Sequence, residues 1–478
     1  MKKAIEKILG ILAKIIVRKY KPFIIGITCS MGKTSTKEAI ALVLKKNFFL
    51  RTSSKNYNNE LGLPLTIINS YAQGKNLFGW LSVFIKGMLE IVLPLKFPKT
   101  LVLEMAADKP GDIKYLTDIA PCQIGVITSI APVHLEKFKT IENILEEKQI
   151  IVSRLPLSGW AILNGDDERL FEIKNKIRAK ILTFGFSACG PLRQSLSEAS
   201  GSAVRLSSST VLRASSEPQP NSSLPKGSPS KSSGGKEGNN IRALEISLAQ
   251  EIAEKGELKL KGLRFKLSYS GKIIPVFLPH IIARHQIYSV LAALSVGAAM
   301  GLNLLEAIET LKEFKPLPGR MKLLNGIRES LIIDDSYNAS PEAVGSALET
   351  LTEISNLPGR KKIVVLGDML ELGIDAEELH RKIGKKIAEN NFDSLVVVGN
   401  LAKKIAEEAI KNGFPEEGVF GFNDSSSAGK FLRDKIIYGD VILIKGSQGM
   451  RMEKAVKEIM TEPDKAKELL VRQGKEWE

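Results

Sequence analysis

Cysteine is scarce in this sequence, and the cysteines present form no recognisable framework. Cys29, Cys122 and Cys189 lie far apart and include no C-x-x-C pair. Such spacing excludes the disulfide scaffold of small secreted proteins and a four-cysteine zinc site. We therefore expect a protein of a reducing compartment, and we predict that it is cytoplasmic.

Uninterrupted apolar runs of membrane-spanning length are also missing. The longest apolar stretch, 77–97, contains Lys86, Glu90 and Lys96, whereas a spanning helix needs about 20 nearly uncharged residues. This excludes a transmembrane segment there and leaves two interpretations, a buried or lid helix and a peripheral membrane contact. Residues 1–20 predict an amphipathic helix, and no signal-peptide cleavage site follows it.

No single basic arm accounts for the net charge of +15. A positive charge of this size can serve nucleic acid, a membrane surface or an anionic substrate. The basic residues are instead scattered along helical faces. This arrangement favours a lysine-rich solvated surface, and we predict no nucleic-acid partner.

Alternating strand and helix patterns fill most of the chain. Between residues 21 and 315, apolar runs typical of buried parallel strands, at 100–105, 123–130 and 160–164, alternate with helical patterns. This alternation predicts a doubly wound α/β domain with a parallel-rich sheet.

Two further segments complete the predicted organisation. Residues 187–240 are rich in Ser, Pro and Gly, which predicts a disordered insertion in the first domain. Strand signals return in a hairpin that turns at Ser270 and Gly271. A second α/β pattern over 316–478 predicts a Rossmann-like C-terminal domain.

The stretch GITCSMGKTSTKEA, residues 26–39, joins an apolar run to a helical pattern. It carries Gly32, Lys33 and Thr34 in the order of a phosphate-binding loop, although the general G-x-x-x-x-G-K-[ST] spacing would need glycine where Ile27 stands. At such a turn the backbone N–H groups and the helix dipole attract phosphate. Lys33 would neutralise the terminal phosphates of a nucleotide, and the Thr34 hydroxyl would hold Mg²⁺.

Polar side chains follow two further strands of this domain. Glu104 ends one predicted strand and His134 comes just after the next. Ligand sites of α/β sheets open at these strand ends, where two such groups can share a metal. Lys148, on the following helix, reads from its position alone as a surface lysine.

The second half of the chain carries weaker signals. Asp334 and Asp335 end a predicted strand, and an acidic pair there suits ribose hydroxyls or a cation. Ser340 and Pro341 fit the N-cap and the first position of the next helix. Residues 443–455 predict another strand-to-helix turn, where backbone amides could meet an anion.

Several quoted motifs together carry a resemblance that covers nearly the whole chain outside the insertion. They are ITCSMGKTSTKE (27–38), NYNNELGLPLT (56–66), LEMAADKPGDI (103–113), HLEKF (134–138), LNGDD (163–167), PGR (318–320), IDDSYNASP (333–341), LGDMLELG (366–373) with His380, and LIKGSQGMRME (443–453). In these motifs the chain resembles the Mur ligase family, and the motifs in its second half favour the branch that adds D-alanyl-D-alanine.

The resemblance implies an ATP-dependent amide ligase of peptidoglycan precursor synthesis. ATP would phosphorylate a carboxylate of a UDP-muramyl tripeptide, and the amine of D-alanyl-D-alanine would attack the resulting acyl phosphate. The family's C-terminal half moves, so closure over ATP would exclude water from that intermediate. One or two Mg²⁺ ions are implied as cofactors.

The resemblance also implies roles for individual residues. The ATP-binding residues would be Thr28, Cys29, Ser30, Met31, Gly32, Lys33, Thr34, Ser35, Arg320 and Asp335. The substrate-binding residues would be Asn59, Glu60 and Asn338, the metal ligands Thr34, Glu104 and His134, and the catalytic residues Lys33, Lys148 and His134. Lys148 stands where the family carries a carbamylated lysine, whose added carboxylate serves the metal site.

The sequence departs from the family pattern in three places. Cys29 stands where a glycine is usual, and a positive φ there would cost roughly 1–2 kcal/mol. Gln286 and Ser289 replace asparagines associated with adenine contact. Only some twenty residues precede the loop strand, so we expect the family's N-terminal UDP-binding domain to be missing.

These departures keep two alternatives open. One is a Mur-like ligase with an acceptor that carries no UDP, such as a lipid-linked or free peptide. The other is a non-catalytic nucleotide-binding partner protein. The zinc-ribbon branch of the family is disfavoured, because three dispersed cysteines cannot form a four-cysteine site.

Overall fold

The computed structural model describes most of the chain. The described residues are 2–53, 57–133, 135–186, 240–252, 258–474 and 477. The predicted disordered insertion lies outside the described residues except for Asn240, and so do His134 and Cys189.

The first half alternates strands with helices, as its apolar runs predict. Its strands are β1 (Phe23–Thr28), β2 (Leu50–Thr52), β3 (Thr100–Glu104), β4 (Ile124–Ile127), β5 (Trp160–Asn164), β6 (Lys180–Gly185), β7 (Asn240–Ile252), β8 (Leu258–Tyr269) and β9 (Lys272–Leu278). Its helices are α1 (Lys2–Tyr20), α2 (Lys33–Leu44), α3 (Gly62–Ile68), α4 (Leu77–Val92), α5 (Asp112–Ile119), α6 (Leu135–Phe138), α7 (Ile141–Ser153), α8 (Glu168–Glu172), α9 (Ile287–Ala299) and α10 (Leu304–Leu311).

These strands form one sheet, in the order β2-β3-β1-β4-β5-β6-β7-β8-β9. The pairs from β2 to β7 are parallel, and β7, β8 and β9 are antiparallel. The predicted hairpin turn is confirmed, with Ser270 at φ 48° and Gly271 at φ 75°. β3, β1 and β4 are buried along nearly their whole length, which explains their continuous apolar sequences.

Helices cover both faces of this sheet. One buried cluster packs side chains of α1, α3, α5 and α7 against it, and the other packs α2, α9 and α10 against the opposite face. The predicted N-terminal amphipathic helix is confirmed as α1. Among the described residues, no helix combines the length and the apolarity that crossing a membrane requires.

The second half forms a second α/β sheet. Its strands are β10 (Lys322–Asn325), β11 (Leu331–Asp335), β12 (Lys362–Gly367), β13 (Ser394–Val398), β14 (Val419–Phe422) and β15 (Val441–Lys445). Its helices are α11 (Pro341–Glu353), α12 (Ala376–Ala388), α13 (Ala402–Lys411), α14 (Ser425–Lys435), α15 (Glu453–Ile459) and α16 (Ala466–Leu469). The order is β10-β11-β15-β12-β13-β14, and all pairs except β10–β11 are parallel.

The strand order decides where each sheet can hold a ligand. β1 lies between β3 and β4, so successive strands are added on opposite sides of it. The register pairs Ile27 with Glu104 and Thr28 with Ile127, which brings the ends of these three strands to one edge. A crevice opens at such a switch point, and the 29–32 loop lies in it.

Candidate active site

The 29–32 loop is a tight strand-to-helix turn. β1 ends at Thr28 and α2 begins at Lys33, with Gly32 between loop and helix at φ 83°. A left-handed residue at this point suits glycine, which has no Cβ. Cys29 does not have a positive φ, so the strain considered for it does not arise. Its buried thiol instead donates to the carbonyl of Met31 at 2.8 Å.

Hydrogen bonds brace this loop against the segment that follows β4. The Ser30 amide donates to the Ser129 carbonyl at 2.9 Å, and the Ser30 hydroxyl donates to the Ala131 carbonyl at 3.0 Å. Lys33 Nζ lies back over the loop and donates to the Cys29 carbonyl at 2.8 Å. These hydrogen bonds hold the loop in place and keep the Lys33 ammonium group beside it.

A buried carboxylate and a hydroxyl meet at the start of α2. Thr34 Oγ1 lies 3.4 Å from Glu104 Oε1, which also accepts a hydrogen bond from Asn58 Nδ2 at 2.9 Å. Glu104 is 2% exposed, and its Oε2 is buried with no hydrogen-bond partner among the described residues. A buried carboxylate oxygen without a protein partner is a suitable ligand for a cation.

Mg²⁺ fits this arrangement. It prefers oxygen ligands and is usually held by one or two carboxylates together with substrate phosphates and water. Among the residues with described positions, no three His, Cys, Asp or Glu side chains cluster as a ready-made metal cage. Thr34 and Glu104 would thus hold one ion beside a bound phosphate. His134, the other predicted metal ligand, lies outside the described residues.

Lys148 is not the surface lysine that its position alone suggests. It lies on α7 and is 2% exposed. Burial, and next the positive charge of Lys33, lower its pKa from 10.5 to about 7. Burial also raises the pKa of the Cys29 thiol, which interacts electrostatically with Lys33, Lys148 and Glu104. Lys33, Lys148 and Glu104 therefore lie near Cys29 of the 29–32 loop.

The second half of the chain reaches the same loop. Arg320 Nη2 donates to Thr34 Oγ1 at 3.3 Å, and its guanidinium stacks over the Tyr337 ring at 4.1 Å. Gln286 Nε2 donates to the Arg320 carbonyl at 3.1 Å. The Ser340 hydroxyl lies 3.2 Å from the sulfur of Met31. The crevice is consequently lined by residues from both sheets.

An acidic pair ends β11, as the sequence predicts, and its members differ in their surroundings. Asp335 forms a buried ion pair with Lys445 at 2.5 Å, and Lys445 also donates to the Asn338 carbonyl at 2.8 Å. Asp334 accepts hydrogen bonds from the Gly319 and Ser336 amides. Burial raises the pKa of Asp334 to about 6.

Other predicted residues have local contacts of their own. Asn59 Oδ1 accepts the Gly62 amide at 3.0 Å near the start of α3, and Glu60 pairs with Lys109 at 2.5 Å. The Ser289 hydroxyl lies 3.0 Å from that of Thr36.

The structure also shows the positions of Thr28, Ser35 and His380. Thr28 ends β1, and Ser35 lies in the first turn of α2, both next to the loop. His380 accepts the Met369 amide at Nε2 and contacts the Ala376 carbonyl through Nδ1, so it holds the 366–373 turn. The roles of these residues in binding stay predictions.

Three polar residues of this region escaped the sequence reasoning. Asn58, rather than its neighbour Asn59, contacts Glu104. Lys445 ends the apolar run of β15, and a lysine that closes a buried strand was the signal for it. Lys37 is 1% exposed on α2 and donates to the Ser53 carbonyl at 2.7 Å. The one sequence signal for the burial of Lys37 was its position one helical turn after Lys33, on the same face of the helix.

Two models of protein families match the chain. The Mur ligase middle domain matches residues 88–212, and the Mur ligase glutamate ligase domain matches residues 319–448. Together these matches span about half of the chain.

Whole proteins match over longer stretches. The chain is 27% identical over 452 residues to UDP-N-acetylmuramoyl-tripeptide–D-alanyl-D-alanine ligase of Bacillus subtilis, covering 95% of this chain and 79% of the relative. It is 28% identical to the ligase of the same name from Mycobacterium leprae, and the match covers 89% of this chain and 71% of the relative. The crystal structure of MurF ligase from Thermotoga maritima in complex with ADP superposes on this chain with a TM-score of 0.68 at 25% identity. The match covers 96% of this chain and 84% of the crystallised one.

Fold and site together define a two-sheet α/β protein in which residues of the second half contact the turn between β1 and α2. The chain belongs to the Mur ligase family. This confirms the resemblance carried by the motifs and the predicted fold class.

Proposed function

We propose that this protein is an ATP-dependent amide ligase that joins D-alanyl-D-alanine to the carboxylate of a UDP-MurNAc-tripeptide. The reaction would contribute to peptidoglycan precursor synthesis in the cytoplasm. The chain matches curated relatives that carry the name of this ligase, and it covers most of their length. The free buried thiols of Cys29 and Cys122 suit a reducing compartment.

One observation carries the proposal. The Thr34 hydroxyl lies within hydrogen-bond distance of Glu104 from the first sheet and of Arg320 from the second half. A phosphoryl group at this point would meet Arg320 from the second half and Lys33, whose ammonium group lies over the loop, and the two halves would close around it. Transfer of a phosphoryl group depends mainly on positioning and on stabilising its charge, which this arrangement supplies.

The reaction needs an activated carboxylate, because oxide is a poor leaving group. Transfer of the terminal phosphoryl group of ATP to the acceptor carboxylate would yield an acyl phosphate and ADP. The amine of D-alanyl-D-alanine would then attack the acyl carbon, and phosphate would leave as the amide forms. Lys33 and Arg320 would hold the transferring group, and closure of the second sheet would exclude water.

The cation and the ribose have proposed partners as well. Thr34 and Glu104 would hold Mg²⁺, oriented by Asn58, and the ion would neutralise phosphate charge. Asp335, fixed by Lys445, would accept hydrogen bonds from the ribose. Asn59, Glu60 and Asn338 would contact the substrates. His134 remains the proposed ligand of a second ion.

Lys148 is proposed to be carbamylated. An amine with a pKa of about 7 is largely neutral at physiological pH, so its lone pair can attack CO₂. The N–C bond forms, a proton is released, and a carboxylate results on the lysine. That anion would form an attractive pair with the Lys33 ammonium group.

The test measures phosphate release with ATP and each acceptor alone, then with both. We expect release to require both UDP-MurNAc-tripeptide and D-alanyl-D-alanine. Arg320→Ala should lower the rate by roughly 10²–10³-fold, as removal of a charge-stabilising donor does. Arg433→Ala, which removes an exposed arginine of the second half, should retain the wild-type rate.

Other outcomes decide between the alternatives. Turnover with a tripeptide acceptor that lacks UDP would favour the ligase with a different acceptor. ATP binding without turnover under any acceptor combination would favour the non-catalytic nucleotide-binding protein. Phosphate release that depends on neither acceptor would refute the ligase proposal.

A further inference from the structure

We infer that the outer faces of α1 and α4 form a surface that binds the anionic face of a lipid bilayer. More than half of the exposed large apolar side chains in the described residues lie within 1–20 and 71–95. Elsewhere in the described chain such side chains occur mostly singly, which is ordinary for a protein surface. A concentrated apolar patch marks an interaction site.

α4 has two apolar faces. Its inner face buries Trp80, Val83 and Gly87. Its outer face exposes Phe78, Leu81, Ile85, Met88, Leu89 and Val92, with Phe78 at 85% and Val92 at 69% exposure. An apolar outer face on a surface helix is expected only where something other than water covers it.

α1 continues this apolar face. Its inner side packs into the core, and its outer side exposes Ile8, Ile11 and Ile15 at helical spacing. A Cβ placed on Gly87 of α4 would lie 3.1 Å from the side chain of Leu12 on α1. The two helices therefore lie against each other, and their exposed strips form the α1–α4 surface.

The ends of the two helices are also tied together. Lys19 Nζ donates to the carbonyls of Glu90 and Ile91, each at 2.9 Å. Tyr20 Oη donates to the Glu90 carbonyl at 2.9 Å. These bonds fix the relative position of α1 and α4, so the surface exists without a partner.

The charges of this surface select the partner. Glu6 and Glu90 are the acidic residues of the two helices; Glu6 is half-buried and Glu90 is buried. The exposed charged side chains on the two helices and on the segments that flank α4 are cationic: Lys3, Lys7, Arg18, Lys19, Lys75, Lys96 and Lys99. An apolar face flanked by lysines, with acidic groups withdrawn, complements anionic lipid headgroups.

Binding there leaves the proposed active site accessible. α1 ends where β1 begins, and α4 ends shortly before β3 begins. Both helices therefore run alongside the sheet, antiparallel to its strands. Only the C-terminal ends of α1 and α4 lie at the amino edge of the sheet, opposite the carboxyl edge that holds the phosphate loop, and their N-terminal ends reach toward that carboxyl edge. A bilayer on the α1–α4 surface would hold the protein beside the membrane while its crevice faces the aqueous side.

The experiment is flotation of the full-length protein with vesicles. We expect binding to vesicles that contain phosphatidylglycerol in phosphatidylcholine, little binding to pure phosphatidylcholine, and weakening by added salt. Phe78→Asp with Leu81→Asp should weaken binding at least tenfold. Leu157→Asp with Ile374→Asp, which alters exposed apolar residues elsewhere, should bind as the wild type does.

A second pair of variants tests the charges. Conversion to glutamine of four lysines at the surface should weaken binding at least tenfold, and conversion of four exposed lysines elsewhere should not. The first set is Lys3, Lys7, Lys75 and Lys96, and the matched set is Lys261, Lys382, Lys411 and Lys465. Circular dichroism confirms that each variant is folded.

Three results would overturn the inference. The first is the absence of vesicle binding, and the second is equal binding to neutral and anionic vesicles. The third is a dimer, detected by light scattering, that Phe78→Asp with Leu81→Asp abolishes while vesicle binding is unaffected. That result would mean that a second copy of the chain covers the surface.

Discussion

Replacement of Lys148 by methionine should change how the stability of the protein depends on pH. Methionine keeps the length of the side chain and removes its ionisable group. In the folded protein, burial and the charge of Lys33 lower the lysine pKa from 10.5 to about 7. Between these pH values the unfolded chain binds a proton that the folded protein does not. Stability contributed by this group therefore rises with pH across that window.

The magnitude follows from the two pKa values. Each pH unit is worth about 1.4 kcal/mol, so at pH 7 the buried lysine costs about 4 kcal/mol relative to its fully solvated state. The variant should be more stable than the wild type at pH 7. The difference should fall by about 1.4 kcal/mol per pH unit and become independent of pH near the lysine's ordinary pKa.

Urea unfolding between pH 6.5 and 9.5 in CO₂-depleted buffer provides the measurement. Any packing change caused by methionine adds a constant, so the slope of the difference with pH is the informative quantity. Lys114→Met, an exposed lysine of the same half, controls for removal of a surface charge. A difference that stays constant between pH 7 and 9 would refute the reasoning.

The same experiment reports on carbamylation. Bicarbonate should stabilise the wild type, because CO₂ bound only by the folded protein shifts the folding equilibrium. It should leave Lys148→Met unchanged. Mass spectrometry under native conditions should detect one added CO₂ in the wild type alone.

Three further changes test other parts of the site. Lys33→Ala should abolish turnover measured by ADP release, because it removes the cation that meets the terminal phosphates; activity near the wild-type rate would contradict the ligase assignment. Lys445→Met should lower the free energy of unfolding by about 3–5 kcal/mol, since it leaves the Asp335 carboxylate buried and unpaired. Asp335→Leu added to it should restore most of that loss in urea unfolding. Cys29→Gly should weaken ATP binding several-fold in calorimetry, because the thiol's contact with Met31 is lost and no backbone strain is relieved; tighter binding would count against this.

Much of the fold follows from short-range patterns. Short apolar runs such as 101–103, 331–333 and 441–444 indicate strands because parallel strands buried on both faces carry apolar side chains at successive positions. The phosphate loop was recognisable because Gly32 and Lys33 lie between such a strand and a helix. Pro341 after Ser340 marked the start of α11, where Ser340 accepts the Ala343 amide.

The details of the site could not be read from neighbouring residues. Asn58 and Asn59 are adjacent and chemically identical, and only the turn before α3 decides which of them faces Glu104. Lys148 has the sequence position of an ordinary surface lysine, and only packing buries it. Burial and electrostatic shifts arise from groups distant in sequence, which no local pattern encodes.

Residues 26–39 show which features follow from the sequence alone and which depend on tertiary packing. Residues 26–39 alone established a strand, a turn and a helix that attract phosphate, because these depend on glycine, on apolar spacing and on the helix dipole. Folding decided the rest. It placed Glu104 and Asn58 beside Thr34, removed Lys148 from water, and brought Arg320 within 3.3 Å from the other sheet. Such contacts join residues up to 286 positions apart, and only the packing of two sheets can create them.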